Sequence, residues 1–118
     1  MRDVLAVLAG AVVGTALRMA TDAALPSPWS TLAVNVVGSF ALAVLVARVW
    51  PRASSWLRAG LGTGMLGSFT TFSAFAVALV ELGPTPAGLG YGALTVVLGL
   101  AAALAGLALG RGRAETAS

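Results

Sequence analysis

The sequence predicts an all-α membrane protein of four transmembrane helices, and three observations carry the prediction. First, 58% of the 118 residues are hydrophobic and 9% charged, with a mean hydropathy of +0.96; soluble domains carry about 25% charge. Second, the five prolines fall at three places: Pro26 with Pro28, Pro51, and Pro84 with Pro86. Proline lacks an amide hydrogen and its ring clashes with the preceding turn, so each place ends a helix. Third, the four apolar segments between them, near residues 4–24, 31–50, 57–82 and 88–110, each approach the ~20 residues that cross a bilayer. Trp29, Trp50 and Trp56 lie at segment ends, where an indole sits at headgroup level. The connections are short, which makes neighbouring helices antiparallel. The result is one four-helix domain with a polar tail, 111–118, that reads as frayed.

The same composition removes several function classes. The chain has no Cys and no His, and its acidic residues are Asp3, Asp22, Glu81 and Glu115, none in the middle of an apolar run. A hydrolytic or metal-dependent enzyme would have almost nothing to work with. All seven basic residues are Arg and the isoelectric point is near 11.2. They form no basic face, so nucleic acid is set aside as a partner. The N-terminal stretch "MRDVLAVLAGAVVG" reads as the first membrane segment rather than a signal peptide.

In the first helix Gly10, Gly14 and Arg18 are four apart and share a face. An intramembrane Arg costs about 2.5–3.5 kcal/mol on insertion scales, so Arg18 either faces a water-filled vestibule or snorkels to the interface and pairs with Asp22. In the second helix Thr31, Asn35 and Ser39 form one polar stripe beside Gly38. On spacing alone, an interhelical hydrogen bond is the simpler use of Asn35.

The third segment reads "RAGLGTGMLGSFTTFSAFAVALVEL". Gly60, Gly62, Gly64 and Gly67 weaken the helix, and Ser68, Thr70, Thr71 and Ser73 then follow within six positions. This predicts a third helix broken near its middle, around Gly67 to Thr70, which is tolerated in a membrane only where buried or lining a cavity. Phe69, Phe72 and Phe75 follow three apart. Such a stripe is ordinarily core, but ring edges are electropositive and can face a small anion.

In the fourth helix Tyr91, Thr95 and Gly99 share a face, although Tyr91 also suits an interface and Thr95 can bond to its own helix. Gly99, Gly106 and Gly110 recur there, as Gly10 and Gly14 do in the first helix, and invite close backbone packing. Four helices bury few side chains, so an oligomer is expected.

The stretches "GAVVGTALR", "TLAVNVVGSF" and "GTGMLGSFTTFSAF", in that order and spacing, resemble the Fluc (CrcB) family of bacterial fluoride-specific ion channels. The resemblance covers most of the chain. It implies an antiparallel dimer with two pores in the bacterial inner membrane, passively exporting toxic fluoride from the cytoplasm, with no enzymatic activity. It also implies roles for particular residues: Asn35 as the pore asparagine, Phe72 and Phe75 as the ring pair on the anion path, and Thr71 and Ser73 as hydroxyls beside them. Tyr91 and Thr95 would form a polar track and Arg18 a vestibule charge. The backbone carbonyls of Gly67 and Thr70 would hold a structural, untransported sodium ion. Ala78 and Gly99 stand where relatives are often polar, and Ser68 where they have a second glycine.

Compact donors and ring edges suit fluoride, which is small and a strong hydrogen-bond acceptor. A small four-helix multidrug exporter would want a carboxylate in the first helix, and residues 4–21 contain none. A membrane scaffold or assembly subunit would use the polar stripes as glue. Arg2, Arg48, Arg52, Arg58, Arg111 and Arg113 all fall on one side of a four-helix chain. Positive flanks stay inside, so both termini are expected in the cytoplasm. The bias also points to a single orientation and so to an oppositely inserted paralogue as partner, with a self-sufficient homodimer as the alternative if the chain inserts both ways.

Overall fold

The computed structural model describes residues 1–117, with side chains through residue 112. Among the described residues there are four helices long and apolar enough to cross a membrane: Arg2–Ala24, Trp29–Arg52, Ser55–Leu82 and Pro86–Gly112. The fourth continues as helix to Ala117, so the backbone of the expected tail is helical that far. Ser118, and the side chains from Arg113 onward, lie outside the described residues.

Helix ends follow local chemistry. Pro51 has no N–H to give, and the second helix widens into a π turn over Leu45–Val49, then tightens into a 3-10 turn over Trp50–Arg52. The glycine-rich start of the third helix is likewise wide, π-type over Ala59–Leu66. Gly83 ends that helix at φ +70°, a left-handed conformation glycine adopts without strain, and its N–H closes onto the Leu79 carbonyl.

The helices pack as two parallel pairs. The first lies along the opening half of the third, where glycine lets the backbones touch. A Cβ at Gly10 would meet the Gly60 carbonyl oxygen, and one at Gly14 would meet the Met65 carbonyl oxygen and Ser68 Oγ. Ser68 Oγ also reaches the Ala11 carbonyl at 3.1 Å, so a hydroxyl ties this seam. The second helix lies along the fourth, where a Cβ at Gly106 would come within 2.6 Å of the Phe40 carbonyl oxygen and one at Gly110 within 2.7 Å of Ala47 Cβ. Gly99 is not part of that seam: nothing approaches within 4 Å of where its Cβ would stand. Glycine spacing alone placed it on the ridge, but it points into open space.

Two bonds fix the ends of the bundle. Ser55 Oγ donates to Asp3 Oδ1 at 3.1 Å, which sets the starts of the first and third helices side by side. Tyr91 Oη donates to the Pro28 carbonyl at 3.1 Å, which does the same for the second and fourth. Arg2, Arg48, Arg52, Arg58 and Arg111 therefore gather at one end. The chain measures 48 × 34 × 21 Å. Its thin dimension is about two helix diameters, and no span has more than 17% of its most apolar stretch buried. A bundle this thin carries grooves rather than an enclosed bore.

Candidate functional site

The third helix is interrupted at mid-span. Its opening half ends at Phe69, Thr70 and Thr71 are extended (ψ 158° and φ −151°, ψ 115°), and helix resumes over Phe72–Leu82. Thr70 still belongs to the last turn, since its N–H and its Oγ1 both reach the Leu66 carbonyl. Gly67 is itself helical (φ −64°), so the interruption sits at Thr70–Thr71, at the far edge of the expected stretch. Phe69 stays behind on the opening half, in an apolar groove with Leu17, Val37 and Met65. It does not share the Phe72–Phe75 face that uninterrupted spacing would give it.

Asn35 holds the interruption open. Its Nδ2 donates to the Thr71 carbonyl at 3.0 Å, and its Oδ1 accepts from the Thr71 N–H at 2.8 Å. One carboxamide thus serves both the N–H and the carbonyl of Thr71, in a part-buried place. Thr71 in turn caps the second half: its Oγ1 accepts from the Ala74 N–H at 3.1 Å and lies 3.2 Å from Ser73 Oγ. Gly38 makes room, because a Cβ there would strike Thr70 Cγ2.

The interruption creates two opposite electrostatic ends. The opening half finishes with carbonyls that have no helical donor, since the Thr71 N–H that would serve Gly67 is taken by Asn35. The second half begins with the N–H groups of Phe72 and Ser73, which have no intrahelical acceptor, at the positive end of a helix dipole. One end suits a cation and the other an anion.

Two grooves meet at Thr71. One, of about 520 Å³, is lined by Arg18, Asp22, Thr31, Thr71, Ser73 and Glu81. The other, of about 370 Å³, is lined by Asn35, Ser39, Gly67, Thr70, Thr71 and Phe72. Arg18 and Asp22 share the first groove and make no ion pair among the described residues. Beside the grooves runs a column of rings. Phe72 and Phe75 have centroids 5.9 Å apart, Phe75 and Tyr91 5.9 Å, and Tyr91 and Trp29 6.2 Å, the last edge to face. Phe72 is 79% exposed, so its ring is free to meet something outside the chain.

Arg18, Asn35, Gly67, Thr70, Thr71, Phe72 and Ser73, all singled out in the sequence, thus line the two grooves at the interruption, as do Thr31 and Ser39 of the polar stripe and Gly38 beside it. Phe75 joins them through its ring contact, and Tyr91 through Phe75. Tyr91 is buried and its hydroxyl is spent on Pro28. Thr95 Oγ1 donates to the Tyr91 carbonyl at 2.8 Å, within its own helix, and lies in neither groove. Glu81 and Ser30, to which the sequence alone assigns no role, also line the first groove. The signal was present for Glu81: Ala74, Val77, Ala78 and Glu81 recur at helical spacing from Thr71, on one face.

Comparison with known proteins gives a consistent result. The sequence model of the family described as CrcB-like protein, Camphor Resistance (CrcB), matches residues 5–107. A protein of Pseudomonas fluorescens named fluoride-specific ion channel FluC is 45% identical over 117 residues, covering 90% of this chain and 94% of its own. A Rhizobium meliloti protein of the same name is 43% identical over 122 residues, covering 94% and 98%. One from Agrobacterium fabrum is 51% identical over 89 residues, covering 71% of each.

Proposed function

The chain belongs to the CrcB-like protein family, and from that premise we propose that this multi-pass membrane protein is a fluoride-selective ion channel that lets toxic fluoride leave the cytoplasm passively. One observation carries the reading beyond family membership: the Asn35–Thr71 clamp, which holds a helix N-terminus open at mid-span between two polar grooves. A dehydrating fluoride needs compact donors in place of water. The remaining hydroxyl hydrogen of the bonded Thr71–Ser73 pair and the main-chain N–H groups of Phe72 and Ser73 are such donors. Asn35 keeps one Nδ2 hydrogen beyond its bond to Thr71. Phe72 and Phe75 add electropositive ring edges, and Arg18 offers an anion the positive charge on the first groove, set against Asp22 and Glu81.

The proposed assembly is an antiparallel dimer. The support is physical: a slab two helices thick leaves each groove open on one side, and Phe72 presents its ring outward. A second subunit would wall the path. A structural sodium ion belongs to the same proposal. Gly67 and Thr70 line one groove, and their carbonyls end a helix whose last donors are missing. Hard carbonyl oxygens suit sodium. Two oxygens leave the shell of a hard cation unfilled, and the corresponding carbonyls of an oppositely inserted subunit would supply two more. Because main-chain atoms are the ligands, Thr70→Ser should keep the assembled state, while exchange of sodium for a larger cation should weaken it. An assembly equally stable in sodium-free buffer would count against the ion.

The location proposed is the bacterial inner membrane with both termini cytoplasmic, from the gathering of arginines at one end, and an oppositely inserted paralogue as partner. The channel reading is tested in cells. Expression in a bacterium made fluoride-sensitive by loss of its own exporter should restore growth in fluoride, together with the paralogue if this chain needs one. Unrestored growth by a protein shown to reach the membrane with its partner would overturn it.

A further inference from the structure

The polar path does not stop at the Thr71 clamp. A third polar groove, of about 390 Å³, opens at the arginine-rich end between the close of the second helix and the start of the third. Trp50, Arg58 and Thr63 line it, and it shares Leu42 and Gly62 with the groove that holds Asn35 and Thr71. The two grooves are therefore consecutive, with Leu42 and Gly62 at the joint. A Cβ at Gly62 would lie 3.0 Å from Trp50 Cζ2 and 3.3 Å from Cη2. Any side chain there would press on the indole and narrow the joint.

Arg58 is exposed on this groove and makes no ion pair among the described residues. Arg18, half-buried and likewise without an ion pair among the described residues, lines the groove at the far end of the path beside Asp22 and Glu81. Orientation alone would need a charge near the interface but no groove before it. Arg52, exposed and outside all three grooves, is that case. We infer that Arg58, with Thr63 beside it, gathers anions at a second mouth of the path, so that the ion travels between two guanidinium-guarded entrances with the Asn35–Thr71 clamp between them. The inference rests on the anion-channel reading above and assigns that path its second end.

The expected size is modest. One unit charge ~7 Å from an anion in water raises its local concentration about threefold. The effect fades once the Debye length falls to ~3 Å, near 1 M salt. The test compares fluoride efflux from vesicles holding the parent, Arg58→Gln, Arg58→Lys, Arg52→Gln or Gly62→Ala, in about 10 mM and about 1 M of an impermeant salt. Where the channel needs a partner subunit, the partner is included in every vesicle. Arg58→Gln should lose about threefold at low salt and match the parent at high salt. Arg58→Lys should restore the loss, and Arg52→Gln should behave as the parent throughout. Gly62→Ala, a steric block, should lose efflux at both salts. Parent-like efflux by Arg58→Gln at low salt, a loss that persists at high salt, or an equal loss in Arg52→Gln overturns the inference. A parent that passes no fluoride at either salt overturns the channel reading instead.

Discussion

Replacing Asn35 by Asp exchanges one amide nitrogen for a charged oxygen and keeps the shape. The Thr71 N–H retains its acceptor. The Thr71 carbonyl loses the donor at 3.0 Å and meets an oxygen instead. A part-buried carbonyl left without its donor costs about 1–3 kcal/mol, so the clamp weakens by about that much. The effect on a passing anion is separate. A unit charge ~5 Å from the ion, at an effective dielectric constant of ~20, repels it by about 3 kcal/mol, or about a hundredfold in flux. Asn35→Ala separates the two effects. It strands both Thr71 groups and adds no charge, so it should unfold more easily than Asn35→Asp yet conduct better. The assays are electrode-monitored fluoride efflux from vesicles and thermal unfolding in detergent. Parent-like efflux by Asn35→Asp would refute the placing of Asn35 on the path. A flux loss that merely follows stability across both variants would refute the electrostatic part and leave the clamp as its whole function.

Three further outcomes follow from the same geometry. Phe72→Ile and Phe75→Ile keep bulk and lose ring edges worth about 0.5–1.5 kcal/mol, so each should assemble normally and pass fluoride up to about tenfold more slowly. Gly14→Ala drives a methyl group into the Met65 carbonyl and Ser68 Oγ and should lower stability by about 1–3 kcal/mol. Gly99→Ala, in open space, should stay within about 0.5 kcal/mol of the parent; thermal unfolding in detergent compares the two. Single cysteines placed at Ser27 and Ser54 of this cysteine-free chain should react with an impermeant thiol reagent from outside the cell at position 27 only. Equal labelling at both would show dual insertion.

The four spans were legible because proline acts locally. Pro26, Pro51 and Pro84 end helices whatever surrounds them, and the stretches between have bilayer length. The weakened middle of the third helix was legible from its clustered glycines and hydroxyls. Its site was set less well because the decisive partner is remote. Local bonds carry the helix on through Thr70, whose N–H still reaches Leu66, and Asn35, 36 positions away, then takes the Thr71 N–H. Helical spacing put Phe69 with Phe72 and Phe75, but two extended residues between them undo the periodicity. Spacing likewise put Thr95 on a track with Tyr91, whereas the hydroxyl of one turns back on its own helix and that of the other caps a loop. Glu81 was missed because it lies near a span end, where a carboxylate reads as solvated; only the groove shows what it faces.

The central claim is that this helix interruption serves a path for fluoride. The most direct measurement is anion efflux from vesicles containing only the purified channel, with its partner subunit where one is needed, and loaded with fluoride or with chloride. The account predicts rapid fluoride efflux and no chloride efflux above that of protein-free vesicles. Equal efflux of the two halides, or none of either, would contradict it.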